Sequence, residues 1–205
     1  RHTGMTLDSE SLSVPTLGER TVDSPLRLNE EEGDEIANFA KDTARLLVDA
    51  EQSAFQGYLD RGETPPTLEL AGPRSKIYFE PAKTKAAIVT CGGLCPGLNN
   101  VIRAIVMQLW HAYGVRSIFG IRYGYQGLNP EFGLPVEELT PDAVSDIHDQ
   151  GGTILGSSRG PQPASVMVDT LDRLNVRLLF TVGGDGTLRG AQKIHEEDYR
   201  HRALW

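Results

Sequence analysis

The sequence predicts an α/β fold, with a mostly parallel sheet flanked by helices and an N-terminal extension over residues 1–83. From residue 84 onward, apolar runs typical of buried strands alternate with segments of helical spacing. Alternation of this kind produces parallel strands joined by helices. Glycine, which permits tight turns and close backbone approach, is concentrated in the same portion, with 16 of the 22 glycines. We therefore expect the functional site within residues 84–205.

The N-terminal extension is predicted to be partly irregular, with one helix. Residues 1–33 contain proline and glycine without helical periodicity, whereas Asp34 to Leu59 carries apolar residues near helical spacing after an acidic start. The proline-rich segment 61–73 is predicted to be a linker and residues 75–80 a short strand. Two interpretations stay open. The apolar helix face packs against the domain or a neighbouring subunit, or the extension is a loose acidic tail.

The charge distribution also separates the two portions. Residues 1–83 carry 9 Lys and Arg against 16 Asp and Glu, whereas residues 84–205 carry 11 against 12. The net charge of −8 lacks the basic footprint of a nucleic-acid binder. However, the nearly neutral second portion is compatible with a phosphate-rich ligand.

The sequence predicts neither a membrane span nor export. Its apolar runs are far shorter than the roughly 20 residues that a membrane helix needs. Residues 1–10 lack the apolar core of a signal peptide. The two cysteines, Cys91 and Cys95, cannot form a disulfide framework. We therefore expect a cytoplasmic protein with reduced thiols.

Strands and helices are predicted to alternate through the second portion. In parallel sheets of this class, ligands bind at the carboxyl ends of the strands, so the turns that follow strands are candidate sites. In chain order, we expect a strand at Lys85 to Thr90, a helix over Gly97 to Tyr113, a strand at Arg116 to Ile121, a helix over Pro141 to Gln150, an extended piece at Thr153 to Leu155, a helix over Ser165 to Leu174, a strand at Val176 to Val182 and a helix over Asp185 to Glu197.

The first glycine-rich turn, Cys91 to Gly97, follows the first strand and opens a helix. Such a turn presents free backbone N–H groups and the positive end of a helix dipole, which together favour an anion. It lacks the Gly-Lys-Ser/Thr ending of a P-loop, so a plain tight turn is an equally good interpretation. Its two cysteines have no second pair to complete a zinc site.

The second glycine-rich segment is the loop Gly151 to Gly160, which contains two serines and Arg159. The planar guanidinium of an arginine suits phosphate oxygens. The alternative is an ordinary surface arginine in a polar loop.

The third glycine-rich turn, Gly183 to Thr187, directly follows the most apolar strand. Its glycines permit a phosphate to approach the backbone, and Thr187 offers a hydroxyl. Asp185 supplies a hard oxygen ligand of the kind that holds Mg²⁺. The alternative role for Asp185 is to cap a helix N-terminus. Together, the three segments indicate a nucleotide phosphate site with a metal.

Four segments, taken together, resemble the 6-phosphofructokinase family over about residues 84–198. They are TCGGLCPGLNNVIRAIV, IRYGYQGL, GGTILGSSRG and VGGDGTLRGA, in this order. The extension, through PTLGERTVDSPL and GPRSKIYFE, resembles the long-chain branch seen in plants, trypanosomes and some bacteria. The resemblance implies a phosphofructokinase-like, Rossmann-like domain. It also implies the ATP-binding part of an enzyme that transfers the γ-phosphoryl group of Mg-ATP to the 1-hydroxyl of fructose 6-phosphate in glycolysis.

The resemblance further implies a role for individual residues. Arg159 would stabilise charge on the transferring phosphoryl group, and Asp185 would hold Mg²⁺. Pyrophosphate-using members carry aspartate where Gly186 stands, so Gly186 favours ATP. Residues implied to contact ATP are Gly93, Tyr125, Arg159, Gly160, Gly184, Asp185, Gly186 and Thr187.

The sequence matches the family less completely at the effector site, the sugar-phosphate site and the catalytic base. Arg103 matches one arginine of the bacterial effector site, but Met107 and Pro141 stand where two others are expected. The next family motif, a Thr-Ile-Asp-Asn-Asp run that supplies the catalytic base, would come after Trp205, as would the residues for the sugar phosphate. The five histidines occur in none of the motifs, so we expect them to be structural or on the surface. The resemblance also implies a homo-oligomer, either a dimer or a tetramer.

Two alternative functions stay open at this point. NAD kinases and diacylglycerol kinases also use a Gly-Gly-Asp-Gly turn, although the TCGGLCPGLN and GGTILGSSRG loops disfavour them. The other alternative is a nonenzymatic nucleotide-binding fragment or regulatory subunit.

Overall fold

A computed structural model of the chain describes residues 12–29 and 37–203. The chain divides into two compact units, with the boundary between Phe79 and Glu80. The composition placed this boundary at residue 84 instead. Glu80 belongs with the second unit because its carbonyl accepts a 2.6 Å hydrogen bond from Thr84 Oγ1. A short 3₁₀ turn, Pro81–Lys83, lies between Glu80 and Thr84.

The first unit contains short antiparallel strand pairs and one helix. Strand β1 (Val22–Asp23) pairs with β4 (Lys76–Ile77), and β2 (Arg45–Leu47) pairs with β3 (Thr67–Glu69). Helix α1 spans Gln52–Asp60 and has no buried residue. Within the described part of the chain, the fully buried hydrophobic side chains all belong to the second unit.

The predicted helix over Asp34 to Leu59 is wrong for most of its length. Residues 37–51 contain no helix, and part of this stretch forms β2. The strand register places Leu46 opposite Leu68, so a cross-strand apolar pair replaces the predicted helix face. The start of that predicted helix, residues 34–36, and the acidic run Glu30 to Glu32 lie outside the described residues.

Two neighbouring predictions in the extension also change. The predicted linker 61–73 contains β3, which pairs with β2. The predicted strand 75–80 is reduced to the two residues of β4. Both changes come from pairing with strands that are distant in sequence, which local composition does not reveal.

The second unit is built on a four-stranded sheet with the order β7-β6-β5-β8. Strand β5 (Lys85–Thr90) lies parallel to both β6 (Ser117–Ile121) and β8 (Leu178–Val182). Strand β7 (Glu137–Glu138) runs antiparallel to β6 at one edge, and β8 forms the other edge. The predicted α/β fold with a mostly parallel sheet is confirmed.

Helices cover this sheet. Helix α2 (Leu98–Met107) continues as a π-helix over Gln108–Tyr113, followed along the chain by α3 (Ala164–Arg173) and α4 (Asp185–Ala203). Successive side chains of β5 enter two separate apolar clusters, because alternate residues of a strand point to opposite faces of a sheet. The predicted helices 97–113, 165–174 and 185–197 are therefore confirmed, with small shifts at their ends.

The predicted helix over Pro141 to Gln150 is wrong. Only a 3₁₀ turn, Ile147–Asp149, forms there. Thr140 Oγ1 accepts from Ala143 N at 3.2 Å, as at the start of a helix, but the helix does not continue. Arg103 Nε donates to Ser145 O at 3.3 Å, a carbonyl that a continuing helix would use.

The predicted extended piece at Thr153 to Leu155 also differs, since it contains a turn. No helix in the described residues is long and apolar enough to cross a membrane.

Candidate nucleotide-binding site

Two of the glycine-rich turns meet because β5 and β8 are adjacent and parallel. Thr90 lies opposite Val182 in the register, and Cys91 N donates to Val182 O at 2.9 Å. At Gly183 the chain passes so close to the first turn that a Cβ would lie 2.5 Å from Cys91 O and would overlap Thr187 Oγ1. This close approach requires glycine and brings the third turn against the first.

Two buried polar side chains form hydrogen bonds with the backbone of the second glycine-rich loop. Thr90 Oγ1 donates to Gly156 O at 2.8 Å. The Asn99 side chain, from α2, donates to Gln150 O at 3.0 Å and accepts from Ile154 N at 2.8 Å. Asn99 is only 2% exposed, so these bonds are shielded from water. We infer that both side chains position this loop.

The same loop is also bonded directly to the first turn. Gly92 N donates to Ser158 O at 3.1 Å, and Ser157 Oγ donates to Gly92 O at 2.6 Å. The next residue, Arg159, brings its guanidinium beside Gly93, where a Cβ would lie 3.9 Å from Arg159 Nη2. The three segments therefore form one surface.

A cleft of about 520 Å³ lies between these segments. This volume is in the range of small-molecule sites. Of the eight residues predicted to contact ATP, the structure places seven in the lining. They are Gly93, Tyr125, Arg159, Gly160, Gly184, Gly186 and Thr187.

Asp185, the eighth residue, is the first residue of α4, and its side chain is exposed. Leu188 N donates to Gly184 O at 3.1 Å, so Gly184 occupies the position before the helix that a capping residue takes. The alternative role of Asp185 as a helix cap is therefore not what the geometry shows. Its carboxylate extends from the start of α4, between two glycines that line the cleft.

The donor set at this position fits a metal that arrives with phosphates. Among the described residues, no group of three or more His, Cys, Asp or Glu side chains could hold a metal ion by itself. Mg²⁺ is commonly bound through one or two carboxylates, with phosphate oxygens and water completing its shell. Asp185 supplies one such carboxylate in the first turn of α4, next in sequence to Gly184 and Gly186 of the cleft lining.

The floor of the cleft is neutral and hydrogen-bonded. Tyr125, which is 6% exposed, donates its hydroxyl to Thr187 O at 2.7 Å, and Thr187 Oγ1 donates to Cys91 O at 3.4 Å. Burial raises the pKa of the Cys91 thiol from 9.0 to about 11, against a smaller opposing effect of a backbone hydrogen bond with Tyr125. Burial also raises the pKa of Tyr125. Cys91 is thus a protonated thiol at neutral pH, which disfavours a nucleophilic role.

Several residues that line or support the cleft are not indicated by any sequence motif. Asn99 and Thr90 bond to loop residues that lie more than 50 positions away along the chain. The one available sequence signal for this role was a polar residue within an apolar segment. Arg189 and Lys193 line the cleft. Their i, i+4 spacing after the third turn was the available signal.

Among the described histidine side chains, His111, His148 and His195 do not line the cleft. His2 and the side chain of His201 lie outside the described residues.

The fold and the cleft together define an α/β domain with a glycine-lined cleft at the carboxyl edge of its sheet. Residues 85–203 match the model of the family described as phosphofructokinase, and the chain belongs to the phosphofructokinase family. This match favours the phosphofructokinase interpretation over the NAD kinase and diacylglycerol kinase alternatives.

Among curated relatives, the chain is 59% identical over 130 residues to the ATP-dependent 6-phosphofructokinase of Borreliella burgdorferi, covering 63% of this chain and 29% of the relative. It is 46% identical over 197 residues to the ATP-dependent 6-phosphofructokinase of Trypanosoma cruzi, covering 95% of this chain and 39% of the relative. The second match includes most of the extension, as expected for the long-chain branch. The chain spans between 29% and 39% of the length of these two relatives.

Among solved structures, part of the chain resembles part of Pichia pastoris phosphofructokinase in the T-state. The TM-score is 0.51 and the identity 27%, over 65% of this chain and 15% of that one.

Proposed function

We propose that this chain is the ATP-binding, N-terminal part of an ATP-dependent 6-phosphofructokinase. The complete enzyme would transfer the γ-phosphoryl group of ATP to the 1-hydroxyl of fructose 6-phosphate. The observation that carries the proposal is the convergence of three glycine-rich segments and Arg159 on one cleft. The Borreliella burgdorferi and Trypanosoma cruzi relatives are ATP-dependent 6-phosphofructokinases, which supports the same activity.

The residues of this chain would act by binding and orienting the phosphate groups. The backbone N–H groups at the start of α4 and in the glycine-rich turns suit phosphate oxygens. The Arg159 guanidinium, beside Gly93, would stabilise the negative charge of the transferring group. Asp185 would hold Mg²⁺, which when bound neutralises phosphate charge. Much of the catalysis of phosphoryl transfer comes from positioning and charge stabilisation of this kind.

Gly186 supports ATP as the donor rather than pyrophosphate. It lines the cleft, and a Cβ built on it would meet no atom within 4 Å. A longer side chain at this position would therefore enter the space of the cleft. Glycine leaves that space open to a nucleotide.

Three further properties of the complete enzyme belong to this proposal. We propose that it is a homo-oligomer, a dimer or a tetramer, that it acts in the cytoplasm, and that Mg²⁺ is its metal. The family resemblance supports each of them.

A donor assay of the complete enzyme tests the proposal. We expect turnover of fructose 6-phosphate with ATP and little with pyrophosphate. Gly186→Asp should lower kcat/KM for ATP by about 100-fold, because an added carboxylate repels the phosphates at a cost of about 3 kcal/mol. Gly186→Ala, the matched control, should retain ATP use. Faster turnover of the wild type with pyrophosphate would contradict the donor assignment.

A further inference from the structure

Two cations in the cleft have no role in the transfer described above. Arg189 and Lys193 line the cleft together with Arg159, and no carboxylate appears in its lining. Within the described residues, none of the three forms an ion pair, whereas Arg200, on the same helix as two of them, pairs with Glu197 at 3.3 Å. The lining therefore carries three uncompensated positive charges, which favours a ligand with several negative charges.

The two helix cations lie farther along the cleft than the reacting phosphate would. They are four residues apart, so they share one face of α4. At the helical rise per residue, their backbones lie about 6 and about 12 Å beyond Asp185. The third turn and Arg159 serve the transferring group at the start of the helix. Arg189 and Lys193 are placed to contact the part of the ligand that is not transferred.

The same stretch of the cleft has an apolar side. Gly190 lies between the two cations, and a Cβ there would overlap Cε2 of the Tyr125 ring, so the ring packs directly on α4. Pro161 and the buried Met167 complete this side. A polarizable Met side chain makes favourable contacts with flat aromatic groups. Cations beside an apolar wall match a ligand that joins phosphates to a base.

We propose that Arg189 and Lys193 bind the phosphates that remain on the leaving nucleoside diphosphate. The inference rests on the proposed function, because it takes the cleft to be the ATP site. It assigns the two residues to donor specificity, since they hold a nucleotide by phosphates that are not transferred. Arg159 and the glycine-rich turns serve the transferring group.

Direct binding of ADP and adenosine to the complete enzyme tests this assignment. Arg189→Gln and Lys193→Gln should each raise the Kd for ADP by about tenfold, because each removes a charge-assisted hydrogen bond. The Kd for adenosine, which has no phosphate, should stay unchanged. Arg189→Lys and Lys193→Arg, which keep the charge, should bind ADP more tightly than the Gln variants. Arg200→Gln is the matched control on the same helix and should bind ADP as the wild type does.

The outcomes separate this inference from the proposed function. Wild-type affinity for ADP in both Gln variants would overturn the inference alone. An equal loss for ADP and adenosine would also overturn it, because it would indicate damage to α4 rather than a lost phosphate contact. Failure of the wild type to bind any adenine nucleotide would overturn the proposed function, and the inference with it.

Discussion

The exposed carboxylate of Asp185 stands at the start of α4, where Gly184 takes the position before the helix. Asp185→Asn keeps the shape of the side chain and removes its charge. We expect the activity of the complete enzyme to fall at least about 100-fold, because the proposed Mg²⁺ site would lose its protein ligand. The melting temperature should change little, since the helix does not depend on this carboxylate for its cap.

Steady-state assays over a range of Mg²⁺ concentrations, with thermal unfolding in parallel, check this expectation. Near-normal activity of the Asn variant would show that the carboxylate does not hold the metal. A large loss of melting temperature would point to a structural role.

The buried thiol of Cys91 gives the stability of the chain a pH dependence on the alkaline side. Its pKa in the folded protein is about 11, against 9.0 for a free thiol. The folded state therefore keeps a proton that the unfolded state loses as the pH rises above 9. The resulting stabilisation is complete below pH 9 and is lost between pH 9 and about 11.

Denaturant unfolding at several pH values checks this prediction. The difference in free energy of unfolding between the wild type and Cys91→Ala should shrink above pH 9, because the variant has no thiol to ionise. Cys95→Ala alters an exposed thiol and should keep the wild-type pH dependence. A constant difference between wild type and Cys91→Ala from pH 7 to pH 11 would argue against the shifted pKa.

At the scale of elements, helix α4 contains two glycines with opposite surroundings. A Cβ on Gly186 would meet no atom within 4 Å, whereas one on Gly190 would overlap the Tyr125 ring. That ring is held in place by its hydrogen bond to Thr187 O. Gly190→Ala should destabilise the fold by about 1–3 kcal/mol through overpacking. Gly186→Ala should be neutral or stabilising by up to about 1 kcal/mol, since alanine favours a helix.

Urea unfolding of the two variants measures this contrast under identical conditions. Because the substitution and the helix are the same, the difference isolates the packing of Tyr125 on α4. Equal stabilities for the two variants would mean that the Tyr125 ring moves aside without loss of folding stability.

At the scale of the whole molecule, the sheet ends at β8. Its five residues are only half-buried, whereas the central strand β5 is buried over five of its six residues. An apolar edge strand with unpaired backbone groups is a site of association. We predict that an isolated 205-residue chain does not phosphorylate fructose 6-phosphate, binds nucleotide weakly and tends to aggregate. We expect no turnover because phosphoryl transfer to a sugar needs a base for the hydroxyl proton, and the motif that the family resemblance implies for this base does not occur in this sequence.

Activity and light-scattering measurements on the purified chain, free of any complementary fragment, check this prediction. Phosphorylation of fructose 6-phosphate above background would contradict it. Such a result would require a base among residues 1–205.

Local sequence signals are sufficient to predict β5, α3 and α4 of the second unit and the positions of its glycine-rich turns. Strand β5 coincides with its predicted bounds, and α3 and α4 begin within a residue of theirs. These signals are local, because a run of apolar β-formers or a 3.6-residue period fixes an element before any partner is known. The glycine-rich turns were visible for the same reason, since parallel strands end at a common edge.

The other features depend on contacts that form only when the chain folds. Leu46 has helical spacing with its neighbours but pairs with Leu68 across a strand register, and Arg103 reaches across to a carbonyl in the segment predicted as a helix. Only the folded chain brings Asn99 under the second loop and aligns Arg189 with Arg159 in one cleft. These outcomes depend on contacts between residues far apart in the chain, and such contacts outweigh local propensity whenever they satisfy backbone groups or bury apolar surface.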